Sequence, residues 1–371
     1  MIYLDYTSTT PVDEEVLETY IKTTHIFFAN TSSLHKLGQE SNYMYEKAST
    51  QVKDILGLKN YNIVYTSNAT EANNLGIYGI VNKYTTGKII TTKIEHPSVY
   101  EVMKSLEKKF EVIYLDVDEK GIINLEQLEK NIDNNTILVS IMWVNNIVGT
   151  IQPIEKVIEM LKKYKRAKLH VDAVQGICKI KPKFDFNEVD LFTFSTHKIY
   201  GPKGIGGLLY KKDLSLSHYL HGSNVQYGIK PGTFDLSLIV ATTKAFKKYY
   251  PEVEKNHKDI ENKFNYLYSK LEQVKKIHIN TPKTNISHYI INISIPNNNG
   301  ETIVHYLEQN DIYVSTGSAC SSKLKKPEKT IYAMTNSIEY ATSSIRISLS
   351  ILTTYKELDQ FLNIIKKYIG E

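Results

Sequence analysis

Residues 190–204 read DLFTFSTHKIYGPKG, an apolar run that ends in His197, Lys198 and a turn rich in glycine. A short apolar run bounded by polar residues and glycine is typical of a strand buried on both faces. Six similar runs lie among stretches with helical periodicity, and this alternation predicts an α/β domain with a mostly parallel, seven-stranded sheet. The predicted strands span residues 62–67, 88–94, 111–115, 137–144, 168–172, 190–195 and 205–210.

The pattern changes after about residue 236, where two long amphipathic helical stretches begin and run to about residue 274. Predicted strands and helices then alternate at 289–295, 301–309, 345–349 and 355–369. We interpret this part as a second, smaller α+β domain. The expected large domain covers residues 14–245, and the small domain combines residues 1–13 with residues 246–371.

The composition is that of an ordinary globular protein, with 371 residues of which 42% are hydrophobic and 23% charged. No apolar run approaches the roughly 18–20 residues that cross a bilayer, and the N-terminus lacks a signal-peptide pattern. We therefore expect a cytoplasmic protein without membrane contact. The net charge of +5 is scattered, which gives little support to direct nucleic-acid binding. The two cysteines cannot form a disulfide framework, and no metal site is expected.

Polar side chains follow the predicted strands at their carboxyl ends, where ligands collect in an open α/β sheet. Each of them alone is also typical of a helix cap or a local hydrogen bond. Together they predict one polar crevice, formed by His96, Asn146, Asp172, Gln175, His197 and Lys198. Ala69 and Thr70 begin a predicted helix, where backbone N–H groups and the Thr70 hydroxyl could hold a phosphate.

The pairing of Lys198 with Asp172 indicates a particular cofactor. A lysine beside a crevice can bind an aldehyde covalently once burial or neighbouring positive charge lowers its pKa. An aspartate on a neighbouring strand can pair with a protonated pyridine nitrogen and so keep the ring an electron sink. These two residues therefore predict a site for pyridoxal 5'-phosphate.

Segments spread along nearly the whole chain resemble the cysteine desulfurases of the NifS/IscS type, which are class V aminotransferase-like enzymes of fold type I. The THKIYGPKG and GSAC segments are highly specific to that family. The segments are YLDY (3–6), TTPV (9–12), TSNATE (66–71), EH (95–96), VSIM (139–142), VNN (144–146), HVDAVQ (170–175), THKIYGPKG (196–204), GSAC (317–320) and SSIR (343–346). The resemblance implies a homodimer that removes sulfur from L-cysteine with pyridoxal phosphate, leaving L-alanine.

The resemblance also implies roles position by position. Lys198, His96 and Cys320 would be catalytic: Lys198 would bind the cofactor and move the Cα proton, and His96 would stack on the ring and carry protons. Asp172 would pair with the ring nitrogen, and Gln175 would bond the ring hydroxyl. The phosphate would be held by Ala69, Thr70, Ser195, His197 and Thr233 of the partner subunit. Asn146, which also contacts the cofactor, and Arg346 would receive the substrate carboxylate.

Cys320 lies in a stretch, residues 315–327, that is rich in serine, glycine and lysine, so we expect a mobile exposed loop. Its thiolate would attack the substrate sulfur and carry it as a persulfide to an acceptor protein, either an iron–sulfur scaffold or a tRNA-thiolation enzyme. Cys178 follows the cofactor segment on a strand-like run. There we expect a small buried hydrophobic side chain.

The chain departs from the family at three places. Ile147 stands where the family usually has glutamate, and residues 29–31 read ANT instead of GNP. Residues 221–233 lack the family's run of glycines and its acidic residue, and Lys230 replaces an arginine. Three alternatives stay open: a selenocysteine lyase, an aminotransferase or lyase of the same fold that would not need Cys320, and a non-catalytic sulfur-carrier platform.

Overall fold

The computed structural model describes residues 1–317 and 327–370, and its largest sheet contains seven strands. In order along the chain they are β2 (Tyr61–Thr66), β3 (Lys88–Thr92), β4 (Glu111–Leu115), β5 (Thr136–Met142), β6 (Lys168–Asp172), β7 (Leu191–Ser195) and β8 (Gly206–Lys211). Their order across the sheet is β2-β8-β7-β6-β5-β3-β4. β8 runs antiparallel to β2 and β7, whereas every other pairing is parallel. The predicted α/β fold with a mostly parallel seven-stranded sheet is confirmed.

Helices cover both faces of this sheet, which explains why its strands read as continuous apolar runs. They are α1 (Glu14–Ile26), α2 (Lys36–Ile55), α3 (Ala69–Val81), α4 (Pro97–Leu106), α5 (Leu125–Asn131), α6 (Ile154–Leu161) and α7 (Leu236–Tyr249). Local sequence fixes their starts: the Asn68 side chain caps α3, and Pro97 occupies the first turn of α4, where its missing N–H is harmless. Within the described ranges, no helix is both long and apolar enough to cross a bilayer.

The second part of the chain is built on a three-stranded antiparallel sheet, in the order β12-β10-β9. Its strands are β9 (His278–Ile279), β10 (Ile290–Ser294) and β12 (Ser344–Ser348), and β11 (Ile312–Tyr313) lies apart from them. Its helices are α8 (Val253–Leu271), α9 (Gly300–Glu308), α10 (Lys329–Thr335), α11 (Ile338–Ser343) and α12 (Tyr355–Ile369). A reciprocal capping box between Thr354 and Glu357 starts α12.

The N-terminal segment joins the second part of the chain. Strand β1 (Ile2–Tyr3) pairs in parallel with β11, and the backbone N–H of Ser348 donates to the carbonyl of Leu4 at 2.7 Å. The segment then passes under the carboxyl ends of the large sheet, where the N–H of Thr10 donates to the carbonyl of His197 at 2.9 Å. The division into two domains stays a prediction, and α7 runs across its expected boundary at residue 245.

Candidate active site

A cavity of about 340 Å³ opens at the carboxyl ends of the parallel strands, within the size range of small-molecule sites. The predicted residues that line it are Ala69, Thr70, His96, Asn146, Asp172, Gln175, Ser195, His197, Lys198 and Arg346. Thr233 lies outside the cavity of its own chain, beside a second depression. Cys320 falls outside the described residues.

Lys198 follows β7 in a single turn of 3-10 helix, and this turn directs its amine into the cavity. The Nζ donates to the carbonyl of Thr7 at 2.6 Å and to the carbonyl of Ser8. Burial, reinforced by the positive charge of Arg346, lowers the pKa of Lys198 from its ordinary 10.5 to about 7. The amine is therefore available as a nucleophile and a base near neutral pH.

The lowered pKa predicts how fast the apo-protein binds pyridoxal phosphate at different pH values. Only the neutral amine attacks an aldehyde, and its fraction rises with pH until the pKa is passed. The rate constant of loading should therefore increase up to about pH 7 and level off above it. Stopped-flow absorbance between pH 5.5 and 10 measures this, and a rate that still climbs steeply between pH 8 and 10 would contradict it.

Asp172 ends β6 with its carboxylate held in a fixed plane. Oδ1 accepts from the backbone N–H of Val174 at 3.0 Å, and Oδ2 accepts from Nδ2 of Asn73 at 3.0 Å. Oδ1 of Asn73 in turn accepts from the hydroxyl of Thr193 at 2.6 Å. Because a carboxylate only accepts hydrogen bonds, the Asp172 carboxylate requires the amide nitrogen of Asn73, and not its oxygen, to point towards it.

His96 lies at the start of α4, with its ring open to the cavity. Its Nδ1 accepts from the backbone N–H of Ser98 at 3.1 Å, so this nitrogen carries no proton in the neutral ring and Nε2 does. Asn73 Nδ2 also donates to the Ser98 hydroxyl at 2.8 Å. The Asn73 amide therefore connects Asp172 with Ser98, the residue that bonds the His96 ring. Partial desolvation lowers the pKa of His96, although the charge of Asp172 raises it.

The end of the cavity next to the start of α3 suits an anion. Ala69 starts α3, and the first N–H groups of a helix have no partner within the helix. A side chain at Gly206 would meet the backbone nitrogen of Ala69 at 2.9 Å, so glycine lets β8 approach this helix start. The buried hydroxyl of Ser195 lines the cavity and has no hydrogen-bond partner among the described residues.

These groups together fit pyridoxal phosphate: helix N–H groups and a free hydroxyl for the phosphate, a carboxylate for the pyridine nitrogen, and a nucleophilic lysine for the aldehyde. His197 lines the same cavity, and its Nδ1 lies 3.1 Å from the Thr9 hydroxyl. Burial lowers the pKa of His197 to about 4, with the charge of Lys198 adding to the effect. His197 is therefore neutral at physiological pH.

The orientation of Gln175 is set by Lys179, which the sequence analysis did not single out. The ammonium Nζ of Lys179 donates to Oε1 of Gln175 at 2.7 Å. The amide nitrogen Nε2 consequently points the other way and donates to the carbonyl of Thr7 at 3.2 Å. Gln175 therefore offers a donor, not an acceptor, on the side of the amide that faces away from Lys179.

Arg346 lies at the centre of β12 and is 3% exposed. Its Nη2 donates to the carboxylate of Asp5 at 2.9 Å and to the Ser8 hydroxyl at 2.8 Å. Its Nη1 donates to the carbonyls of Asn146 at 2.9 Å and Gly317 at 3.1 Å. The four Nη–H groups are thus all engaged with protein, and a substrate carboxylate would have to replace at least one of these partners.

Two of the departures from the family pattern find a structural reason. Ile147 is buried in an apolar cluster with Ile331 and Met334 of α10, next to Gly317. Lys230 forms an ion pair with Glu71 at 3.0 Å, which ties its segment to the first turn of α3. Within this segment Gln226 and Tyr227 have left-handed backbone angles, with φ of 49° and 61°.

Sequence reasoning missed several residues of the site. Thr7 and Ser8 line the cavity from the N-terminal segment, Asp5 accepts from the Arg346 guanidinium, and Asn73 donates to the Asp172 carboxylate. A signal for Asn73 was present, because an asparagine interrupts the otherwise apolar stretch of α3. No local pattern distinguished Asp5, since its partner Arg346 is 341 positions away.

The chain is similar to known proteins along nearly its whole length. The family described as "Aminotransferase class-V" matches residues 2–361. The cysteine desulfurase IscS of Dictyoglomus turgidum is 36% identical over 372 residues, which cover 99% of this chain and 94% of that protein. A solved structure described as a NifS-like protein aligns with a TM-score of 0.92 and 36% identity, covering 100% of this chain and 99% of the other. A structure described as SspA in complex with cysteine aligns with a TM-score of 0.81 and 30% identity, covering 95% and 100%.

Proposed function

Because this chain belongs to the aminotransferase class-V family and is a pyridoxal-phosphate-dependent cysteine desulfurase, we propose that Lys198, His96 and Cys320 carry its reaction. Asp172 and Gln175 would hold the cofactor ring, and Arg346 with Asn146 would orient L-cysteine. The phosphate would lie against Ala69, Thr70, Ser195 and His197. The observation that carries the proposal is the convergence of the lowered-pKa amine of Lys198, the Asp172 carboxylate and the His96 ring on one cavity.

The bound cofactor supplies an electron sink next to the substrate Cα. Lys198 then moves a proton between its Nζ and that carbon, which its lowered pKa allows at neutral pH. His96 holds its proton on Nε2, and we assign it the transfers to and from the substrate thiol and its product. The Asp172 carboxylate stays fixed by Asn73 and Val174 throughout.

The sulfur step falls to Cys320, whose assignment comes from the sequence. Its thiolate attacks the substrate sulfur, so that a bond between the two sulfur atoms forms and the bond from sulfur to the substrate carbon breaks. The electron pair of the broken bond stays with the carbon fragment, which takes up a proton and leaves as L-alanine. The persulfide on Cys320 then passes its outer sulfur to an acceptor protein.

The direct test is an assay of L-alanine and sulfide released from L-cysteine by the loaded enzyme with a thiol reductant. We expect equal amounts of the two products, and we expect Cys320→Ser to lower both. Cys178→Ser is the matched control, because Cys178 is buried and burial raises its thiol pKa. Release of alanine at an undiminished rate by Cys320→Ser would contradict the role of this cysteine.

The same assay separates a cysteine desulfurase from two of the three alternatives. A selenocysteine lyase would prefer L-selenocysteine and release little alanine from L-cysteine. A non-catalytic sulfur-carrier platform would release no alanine from L-cysteine or from L-selenocysteine. The acceptor that we propose is an iron–sulfur scaffold or a tRNA-thiolation enzyme in the cytoplasm, and sulfur transfer from labelled cysteine to each purified candidate would distinguish them.

We also propose that the enzyme is a homodimer in which Thr233 of the partner subunit completes the phosphate site. Large hydrophobic side chains are exposed between α1 and α2 and in the segment before α7, including Phe28, Leu34 and Tyr227. These regions meet where Nδ2 of Asn30 lies 3.4 Å from the Thr233 hydroxyl. An exposed apolar surface of this kind favours a protein interface.

Thr233→Ala is expected to weaken pyridoxal phosphate binding about tenfold, since one hydrogen bond to a charged group contributes roughly 1.5 kcal/mol. Thr233→Glu should block binding by charge repulsion. Co-expressed with Lys198→Ala, it should regain activity, because a mixed dimer then has one complete site. Thr85→Glu, at an exposed position, is the control. If the mixed dimers stay inactive while each parent dimer folds, Thr233 does not act across the interface.

A further inference from the structure

Lys179 is a buried lysine that the proposed reaction does not use. It lies in the turn after β6 and is 7% exposed, and its Nζ donates to the neutral Oε1 of Gln175. Within residues 1–317 and 327–370, no carboxylate pairs with it. An unpaired buried charge costs several kcal/mol in folding stability, so a lysine here calls for a functional reason.

A short hydrogen-bonded path connects Lys179 with Lys198. The Lys179 ammonium bonds one end of the Gln175 amide, and the other end of that amide donates to the carbonyl of Thr7. The same carbonyl accepts from Nζ of Lys198 at 2.6 Å. Both lysines also line one small internal cavity behind the active site. The two amines are therefore neighbours in a poorly solvated region.

Other ionisable groups surround this pair on every side. Behind Lys198 the small cavity is lined by the neutral phenols of Tyr6, Tyr200, Tyr249 and Tyr289 and by the thiol of Cys178, which burial keeps protonated. Burial also raises the pKa of Tyr200 to about 12. On the active-site side lie the positive Arg346 and the negative Asp5 and Asp172. Behind Lys198, Lys179 is thus the group that can add positive charge.

We propose that Lys179 is a positioning residue that keeps the amine of Lys198 neutral, by placing a second ammonium group behind it and by holding Gln175 between the two. Two amines in one buried region compete for protons, because the second positive charge is opposed by the first. A neutral Lys198 attacks the cofactor aldehyde and later accepts the Cα proton.

The lowered pKa of Lys179 is consistent with this competition. Burial lowers the pKa of Lys179 to about 7, and the charges of Lys198 and Arg346 act in the same direction. The inference rests on the proposed role of Lys198, but it concerns the basicity of an amine and can be measured without turnover.

The test is competitive acetylation of full-length apo-protein with trace acetic anhydride between pH 5.5 and 11, followed by peptide mass spectrometry of Lys198. Acetic anhydride modifies only the neutral amine, so the extent of labelling reports the titration of Lys198 directly. In Lys179→Met, which keeps the length and loses the charge, we expect the midpoint to rise by about one pH unit. Lys179→Arg keeps the charge, and its midpoint should not exceed that of the wild type.

Lys212→Met, at an exposed position, is the matched control and should leave the midpoint unchanged. Should Lys179→Met fold poorly in a thermal melt, Lys179→Gln provides the same loss of charge and keeps a donor for Gln175. An unchanged midpoint in a folded neutral variant would overturn the proposal for Lys179. A wild-type midpoint near 10 would instead show that Lys198 is not the perturbed amine, so the two failures are distinguishable.

Discussion

Lys198→Ala is expected to lower the rate of alanine formation from L-cysteine by about 1,000-fold or more. In the proposed mechanism the substitution removes both the covalent attachment of the cofactor and the base that moves the Cα proton, and general acid–base catalysis alone contributes roughly 10²–10⁴-fold. The fold should survive, because the Lys198 amine bonds only two backbone carbonyls, both in the N-terminal segment. Alanine release under saturating cysteine and added pyridoxal phosphate measures the loss.

Borohydride reduction gives this prediction a second readout. Treatment of the loaded wild-type enzyme should leave the cofactor fixed on the peptide that contains Lys198, and no such label should form in Lys198→Ala. Lys212→Ala is the control for an exposed lysine and should match the wild type in both assays. Full activity in Lys198→Ala, or a label on another lysine, would require a different Schiff-base residue.

Arg346→Lys is expected to lower kcat/KM for L-cysteine about 100-fold and to lower the free energy of unfolding by about 3 kcal/mol. A lysine keeps the charge but cannot reach all four acceptors that the guanidinium joins, and buried acceptors left without a donor destabilise the fold. The two effects have separate measurements: steady-state kinetics for the first and urea unfolding of the apo-protein for the second.

The chain offers a matched control, since Arg166 is its other arginine. Arg166 stacks on the Tyr84 ring and bonds the carbonyl of Thr86 at the surface. Arg166→Lys should therefore change neither kcat/KM nor stability by more than the error. A stability loss in Arg346→Lys without any change in kcat/KM would mean that this arginine only joins the two parts of the chain.

The large sheet could be predicted from sequence because each strand is a short apolar run buried on both faces. The runs at 111–115 and 168–172 coincide with β4 and β6, and the other five runs differ from their strands by one or two residues at each end at most. The strands that were not predicted, β1, β9 and β11, contain two residues each. Two residues are too few for any periodicity, and only tertiary contacts define such strands.

The site was predictable to the extent that it lies at strand ends. Asp172 and Lys198 follow apolar runs, so their convergence could be expected from the topology of an open sheet. Asp5, Asn73 and Lys179 contribute through partners that are distant in sequence or through their own burial. Such contacts leave no local pattern, which is why their places emerged only from the structure.

The pairing of β1 with β11 has a consequence for synthesis on the ribosome. Ile2 cannot pair until Ile312 has been synthesised, and Asp5 cannot bond Arg346 until that residue has been synthesised. The ribosome adds about 5–20 residues per second. The first residues to emerge therefore remain without their partners for roughly 15–60 s. During that interval the nascent chain already contains Lys198 and Asp172, but the N-terminal wall of the cofactor pocket has nothing to dock on. We expect the pocket to be among the last parts of the protein to mature, and nascent chains that stall before β12 to bind the cofactor poorly.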